Sequence, residues 1–170
     1  MMGRAWAAIL PAALLLASCA GHRMVPDMPV KIGRPYQVRG KTYVPADDTG
    51  YDEVGLASWY GPGQSGRTAN GEKFKRNRVG AAHKTLPLPS YVEVTALATG
   101  RRIIVRVNDR GPFVDGRIID LSKGAAEQLG ILRAGTARVR VRRVYPGEKV
   151  RRDLRSGRAA EPLESVAPLR

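Results

Sequence analysis

Between Val54 and Val144 apolar residues recur at every second position in short runs, and glycine, proline or asparagine stops each run before it reaches the length of an ordinary helix. A period of two is the mark of a half-buried strand. Tyr91–Leu97 sets Val92, Val94 and Ala96 against Tyr91, Glu93 and Thr95, and Thr99-Gly100 supplies a turn. Arg102–Asn108 then places Ile103, Val105 and Val107 on one face and Ile104 and Arg106 on the other. Val54–Tyr60 has strand composition and stops at Gly61-Pro62-Gly63, Ile118–Leu121 is a short apolar run, and Ala137–Val144 alternates Val139 and Val141 with arginines. The pattern holds one helix: Ser122 suits an N-cap, Ala125, Ala126 and Leu129 are helically spaced, and Gly130 closes the segment. Several short strands with little to cover their edges predict an all-β fold, a small closed barrel with one short helix.

The flanks read differently. A chain of 170 residues supports one compact domain with tails. A short, weakly basic start precedes the apolar run Ala5–Leu16, which is too short to span a bilayer and has a signal-peptide layout. It ends in Leu16-Ala17-Ser18-Cys19, which resembles a bacterial lipobox, so residues 1–18 are expected to be removed and Cys19 acylated. Ala20, not Asp, follows Cys19, which favours a periplasm-facing outer-membrane location over inner-membrane retention. An ordinary secretory signal is the competing reading. Residues 19–53 are expected to form a tether and a strap, with a hairpin within Lys31–Pro45; residues 54–145 form the barrel, and the basic segment 146–170 is expected to be mostly disordered.

Chemistry is bounded by what the chain carries. Cys19 is the single cysteine, so no disulfide forms within the chain, and His22 and His83 are too few for a histidine-based zinc site. No metal and no cofactor are expected, nor is a serine-nucleophile elbow present. The net charge of +14 would suggest nucleic acid in a cytoplasmic chain. In an exported one the anions at hand are wall carboxylates, lipid headgroups and lipopolysaccharide, and no nucleic-acid partner is expected. The excess at Arg138–Arg143 and Arg151–Arg158 reads as a solvated strand face and a solvated tail rather than a dedicated anion site.

Polar loops fall between the strands in a distinctive order: Gly55-Leu-Ala-Ser-Trp-Tyr-Gly-Pro-Gly63, Thr68-Ala-Asn-Gly-Glu72, Ala81-Ala-His83 with Thr85-Leu-Pro-Leu-Pro-Ser90, Val107-Asn-Asp-Arg-Gly-Pro-Phe113 and Arg117-Ile-Ile-Asp-Leu-Ser122. Together these resemble the RlpA (rare lipoprotein A) family, over roughly Val54 to Tyr145. The resemblance implies a six-stranded double-psi β-barrel and lytic transglycosylation of peptidoglycan, preferably on glycan strands stripped of stem peptides. It also marks Glu72, His83 and Asp109 as the polar positions that matter. Many relatives carry a SPOR domain; none is recognised within these residues, so septal targeting is not among the expectations.

The residue types suit that reaction. Breaking a glycosidic bond needs an acid at the leaving oxygen while positive charge builds on the ring. A carboxyl group with a raised pKa serves as acid and then base; Asp109 takes that role, with Glu72 stabilising the cation or holding Asp109 partly protonated. Each assignment has a plainer rival. Asp109 also fits a turn cap, Glu72 follows the turn pair Asn70-Gly71, and His83 either orients a carboxylate or is an ordinary core histidine. Asp120 reads as organising the start of the helix. Tyr60, and after it Trp59 and Phe113, are candidates to stack on sugar rings, Asn70 is a further contact, and Arg110 either meets muramic carboxylates or makes a structural ion pair. Gln64-Ser65-Gly66-Arg67 departs from the Phe-His-Gly-Lys/Arg type of the relatives, just before Glu72. A non-catalytic, expansin-like wall-binding protein is the alternative from another class, and glycan hydrolysis a third. Protein partners are not legible.

Overall fold

A computed structural model of the protein describes residues 27–60 and 63–158; the expected signal segment and Cys19 lie outside these, as do residues 159–170. An antiparallel hairpin, β1 (Tyr36–Val38) and β2 (Lys41–Tyr43), comes first. Six further strands follow: β3 (Asp52–Trp59), β4 (Ala81–His83), β5 (Ser90–Ala96), β6 (Arg102–Asp109), β7 (Arg117–Leu121) and β8 (Thr136–Arg143). They close into a barrel in the order β3-β7-β4-β6-β5-β8. The β3–β7 and β4–β6 pairs are parallel and the remaining neighbours antiparallel. The expected six-stranded barrel is thus present, and closure leaves it no free edge.

Alternation fills the interior as the pattern predicts. Val92, Val94, Val105, Val107, Val139 and Val141 are fully buried, and Ile119 and Leu121 join them from β7. Helix α1 (Lys123–Leu129) follows β7 directly and adds Ala125, Ala126 and Leu129 to this core. The Ser122 hydroxyl oxygen accepts from the Ala125 N–H at 3.1 Å, and Gly130 ends the helix at φ 83°, where glycine carries no Cβ penalty. The arginines of β8 turn outward and pair across strands, Arg140 with Asp52 at 2.6 Å and Arg142 with Glu93 at 3.0 Å.

Two expectations need correction. The three-residue strand β4 falls where no strand was expected; at that length its all-buried Ala-Ala-His cannot display an alternation. The segment after Tyr145 is not wholly structureless, because helix α2 (Glu148–Ser156) forms there, giving two helices where one was expected. Its apolar content is small but well placed. Val150 and Leu154 are one turn apart, Leu154 is buried in the main core, and Glu148 pairs with Arg151 and Arg155 along the helix. Gly157, at φ 79°, caps it.

Helix α1 approaches the chain closely where its second residue has no side chain. A Cβ on Gly124 would collide with the backbone carbonyl of Asn77, which has no freedom to rotate away. Gly124→Ala should therefore lower unfolding free energy by about 1–3 kcal/mol despite alanine's better helix propensity. Urea denaturation would show it, and an unchanged midpoint would contradict this packing.

Candidate active site

The loop from Gly66 to Phe74 folds back on itself before β4. The Phe74 N–H donates to the Gly66 carbonyl at 2.9 Å, Thr68 N–H to Glu72 O at 2.8 Å, and Arg67 Nη1 to Gly71 O at 2.7 Å. The Gln64–Arg67 turn thus leads into a well-bonded loop. That loop meets the end of β6 and binds two carboxylates at once. The Ala69 N–H donates to Asp109 Oδ1 at 2.8 Å, and Asn70 Nδ2 donates to Glu72 Oε1 at 3.0 Å.

The two carboxylates have different surroundings. Glu72 receives Arg106 Nη1 at 2.7 Å and 2.9 Å on its two oxygens and Asn108 Nδ2 at 2.8 Å. With Asn70 these partners are all donors, which suits an acceptor-only carboxylate fixed in place. Asp109 accepts through Oδ1 alone, from the Ala69 and Arg110 N–H groups, each at 2.8 Å. Among the described residues Oδ2 takes no hydrogen bond. Burial raises the Asp109 pKa above the usual aspartate value, only partly opposed by those two amides and by the charge of Arg110. One carboxyl is pinned and the other has a free oxygen and a tendency to hold a proton.

Both face an open-sided cleft, which Tyr60, Phe74, Lys75, Arg78 and α2 also line. Tyr60 rests edge-on against Phe74, with ring centroids 5.4 Å apart, and its buried hydroxyl has no hydrogen-bond partner among the described residues. Burial raises its pKa, and the charges of Asp109 and Asp120 add to the shift. Asp120 on β7 and Asp109 on β6 both pair with Ala82 of β4, one on each side. Burial raises the Asp120 pKa too, against Arg117 and Lys84. Asp120 therefore belongs beside the site, and it is Ser122, not Asp120, whose side chain caps α1.

Other expected residues lie elsewhere. His83 is 3% exposed, and its Nδ1 accepts the N–H groups of Thr85 and Leu86 at 3.2 Å and 3.1 Å. Burial, with Arg110 and Lys84 nearby, pushes its pKa down to about 3. It is a neutral imidazole holding the loop after β4, with its bonds on backbone and none on a carboxylate. Arg110 spends its guanidinium on the carbonyls of Leu86 at 2.5 Å, His83 at 3.3 Å and Ile32 at 2.9 Å. Phe113 packs with Tyr36 and Tyr43 of the β1–β2 hairpin, at 6.1 Å and 5.5 Å between ring centroids. Trp59 packs on the core with Arg76 over its ring at 5.9 Å. No group of three or more potential metal ligands occurs among the described residues. The residue that the sequence reading passed over is Arg106. Its signal was a lone arginine in an otherwise apolar strand, Ile103–Val107.

Comparison with known proteins places the chain in a family. A family model described as lytic transglycolase matches residues 52–141. The endolytic peptidoglycan transglycosylase RlpA of Pseudomonas aeruginosa is 57% identical over 114 residues, 66% of this chain and 33% of that protein. The protein of the same name from Neisseria meningitidis is 50% identical over 117 residues, 68% of this chain and 49% of that one. The chain thus spans between a third and a half of the length of these two relatives. Among solved structures, the Streptomyces papain inhibitor is similar at 25% identity and a TM-score of 0.50, across 59% of this chain and all of its own.

Asp109 gives a stability test. A carboxyl with a raised pKa in the folded state holds its proton more tightly there than when unfolded. It therefore costs stability as pH rises from the unfolded value through the folded one. Asp109→Asn keeps an oxygen for the two amides and removes that cost. Its Tm should exceed the parent's at pH 7, with the difference vanishing toward pH 3, by scanning calorimetry; equal values at pH 7 would refute the burial of this charge.

Proposed function

Because the chain belongs to the lytic transglycolase family, we propose that it is an endolytic peptidoglycan transglycosylase, cleaving between N-acetylmuramic acid and N-acetylglucosamine in peptide-stripped glycan strands. The observation that carries this reading is the unequal treatment of two carboxyls by one loop. Asp109 keeps a free oxygen and a raised pKa, while Glu72 is held by three side-chain donors.

In the proposed reaction protonated Asp109 gives its proton to the glycosidic oxygen, and the bond from that oxygen to the muramic anomeric carbon breaks. The N-acetylglucosamine side leaves as an alcohol. Positive charge on the muramic ring is met by the fixed charge of Glu72. The muramic C6 hydroxyl then bonds to the anomeric carbon and passes its proton to the Asp109 carboxylate, which restores the acid. No water is consumed, and the product ends in a 1,6-anhydro ring. Tyr60 lines the same cleft, which supports a sugar contact there. His83 supports the site from behind, by bonding the loop from which Arg110 is also held.

The expected membrane attachment joins this proposal. Leu16-Ala17-Ser18-Cys19 supports a lipid anchor that holds the enzyme on the periplasmic side of the outer membrane. Peptidoglycan is the partner the reading requires. The non-catalytic, wall-binding alternative has no separate observation in its favour.

Digestion of peptide-stripped glycan, with mass analysis of the products, tests the activity. Anhydro-ended fragments are expected, falling at least 100-fold with Asp109→Asn, and the rate should decline as pH rises and Asp109 loses its proton. Binding to glycan with no release would favour the alternative, and ends heavier by one water would mean hydrolysis. For the anchor, Cys19→Ala should abolish labelling by a fatty-acid probe and leave residues 1–18 uncleaved, as mass analysis of the protein would show; labelling that persists would remove Cys19 from the account.

A further inference from the structure

Arg106 lies on the face of β6 shared with Ile104 and Asn108, away from the barrel interior, yet it is 2% exposed. Part of its network comes from outside the family-matched stretch 52–141, through Asp27 and Arg155. Its Nε donates to Asp27 Oδ1 at 3.0 Å, while Nη1 holds Glu72. Asp27 in turn accepts the Tyr91 hydroxyl at 2.7 Å on both oxygens and Arg155 Nη1 of α2 at 3.2 Å. Arg155 Nη2 continues to Glu148 Oε1 at 2.6 Å. Five charges of alternating sign therefore run in one line, Glu72–Arg106–Asp27–Arg155–Glu148, from the candidate site to the surface.

We propose that Arg106 is a positioning residue for Glu72 and that the Asp27 segment and helix α2 are working parts of the site, setting the guanidinium through which Glu72 is aimed. The proposal rests on the reading of Glu72 and Asp109 as the transglycosylase pair. The logic is geometric. A planar guanidinium that binds one carboxylate through Nη1 and another through Nε has its plane and tilt fixed by both. Neutralising Asp27 leaves Arg106 and Arg155 without the anion they share, so the two cations repel and the fork turns. Glu72 then follows Arg106, away from the position where cationic charge develops, while Asp109 keeps its two backbone amides. A displacement of this kind costs turnover rather than affinity.

The test uses the full chain with Asp27→Asn and Arg155→Gln, which change the line at its outer end, and Arg106→Lys, which keeps the charge but not the fork. Two readouts are taken: kcat and KM on peptide-stripped glycan, and the 15N NMR signals of the Asn70 and Asn108 side-chain amides that donate to Glu72. The expected result is a fall in kcat of about tenfold for Asp27→Asn and Arg155→Gln and more for Arg106→Lys. KM should stay within about twofold, and both amide signals should shift at temperatures where each variant is fully folded. Unchanged kcat and amide signals in the two outer variants would overturn the proposal. So would losses that disappear once the variants are assayed well below their Tm, since that marks a structural role alone. Should the parent chain release no anhydro product, the transglycosylase reading fails by itself. The amide signals still decide whether Asp27 and α2 place Glu72.

Discussion

A guanidinium whose side chain is only 3% exposed has to carry its anions with it. Removing water from one charge costs several kcal/mol, and only close, hydrogen-bonded counter-charges repay it. Arg106 meets that demand from both sides, with Glu72 on one and Asp27 on the other. The Gly66–Phe74 loop, the start of the described chain and the helix after the barrel all converge on this point. The loop that holds Glu72 carries the amide that binds Asp109, so the geometry of the whole cleft follows from satisfying one cation.

The same arrangement separates two carboxyls that differ by a single methylene. Glu72 is surrounded by donors from Asn70, Arg106 and Asn108, while Asp109 has two backbone amides on one oxygen and burial working against its charge. Chemistry that needs a fixed acceptor and a transferable proton within one cleft is served by unequal surroundings rather than by unlike residues. His83, Arg110 and Phe113 form a scaffold behind this pair, tying the β1–β2 hairpin and the loop after β4 to the barrel.

Much of the barrel was legible because its long strands obey a strict period. Tyr91–Leu97 and Arg102–Asn108 were readable from alternation, and α1 from its cap, its apolar spacing and Gly130. Strand β4 was not, since three buried residues show no period, and α2 was not, since Val150 and Leu154 alone make its apolar face. The motifs led to Glu72 and Asp109, and both line one cleft. They did not reveal that His83 bonds to backbone, nor that Arg106, assigned by alternation to an outer face, is covered by parts of the chain distant in sequence. Alternation tells which side of a strand a residue is on, but not what lies over that side.

Ser122 is more than a helix cap. Its hydroxyl oxygen accepts Ala125 N–H from α1 and also Gly80 N–H from the segment leading into β4, at 3.1 Å and 3.2 Å, while the Ser122 N–H returns to the Gly80 carbonyl at 2.9 Å. A single residue thus rivets the Val79–Ala81 wall of the cleft to both the helix and the barrel, and that wall cannot yield independently of the core. The same cleft is also lined by α2. That helix is fastened by Leu154, buried in the core with Val150 packed beside it, and by the ion pairs of Arg155 with Asp27 and Glu148. The two linings are thus held by different forces, one by backbone hydrogen bonds into the barrel and the other by a small apolar contact and paired charges.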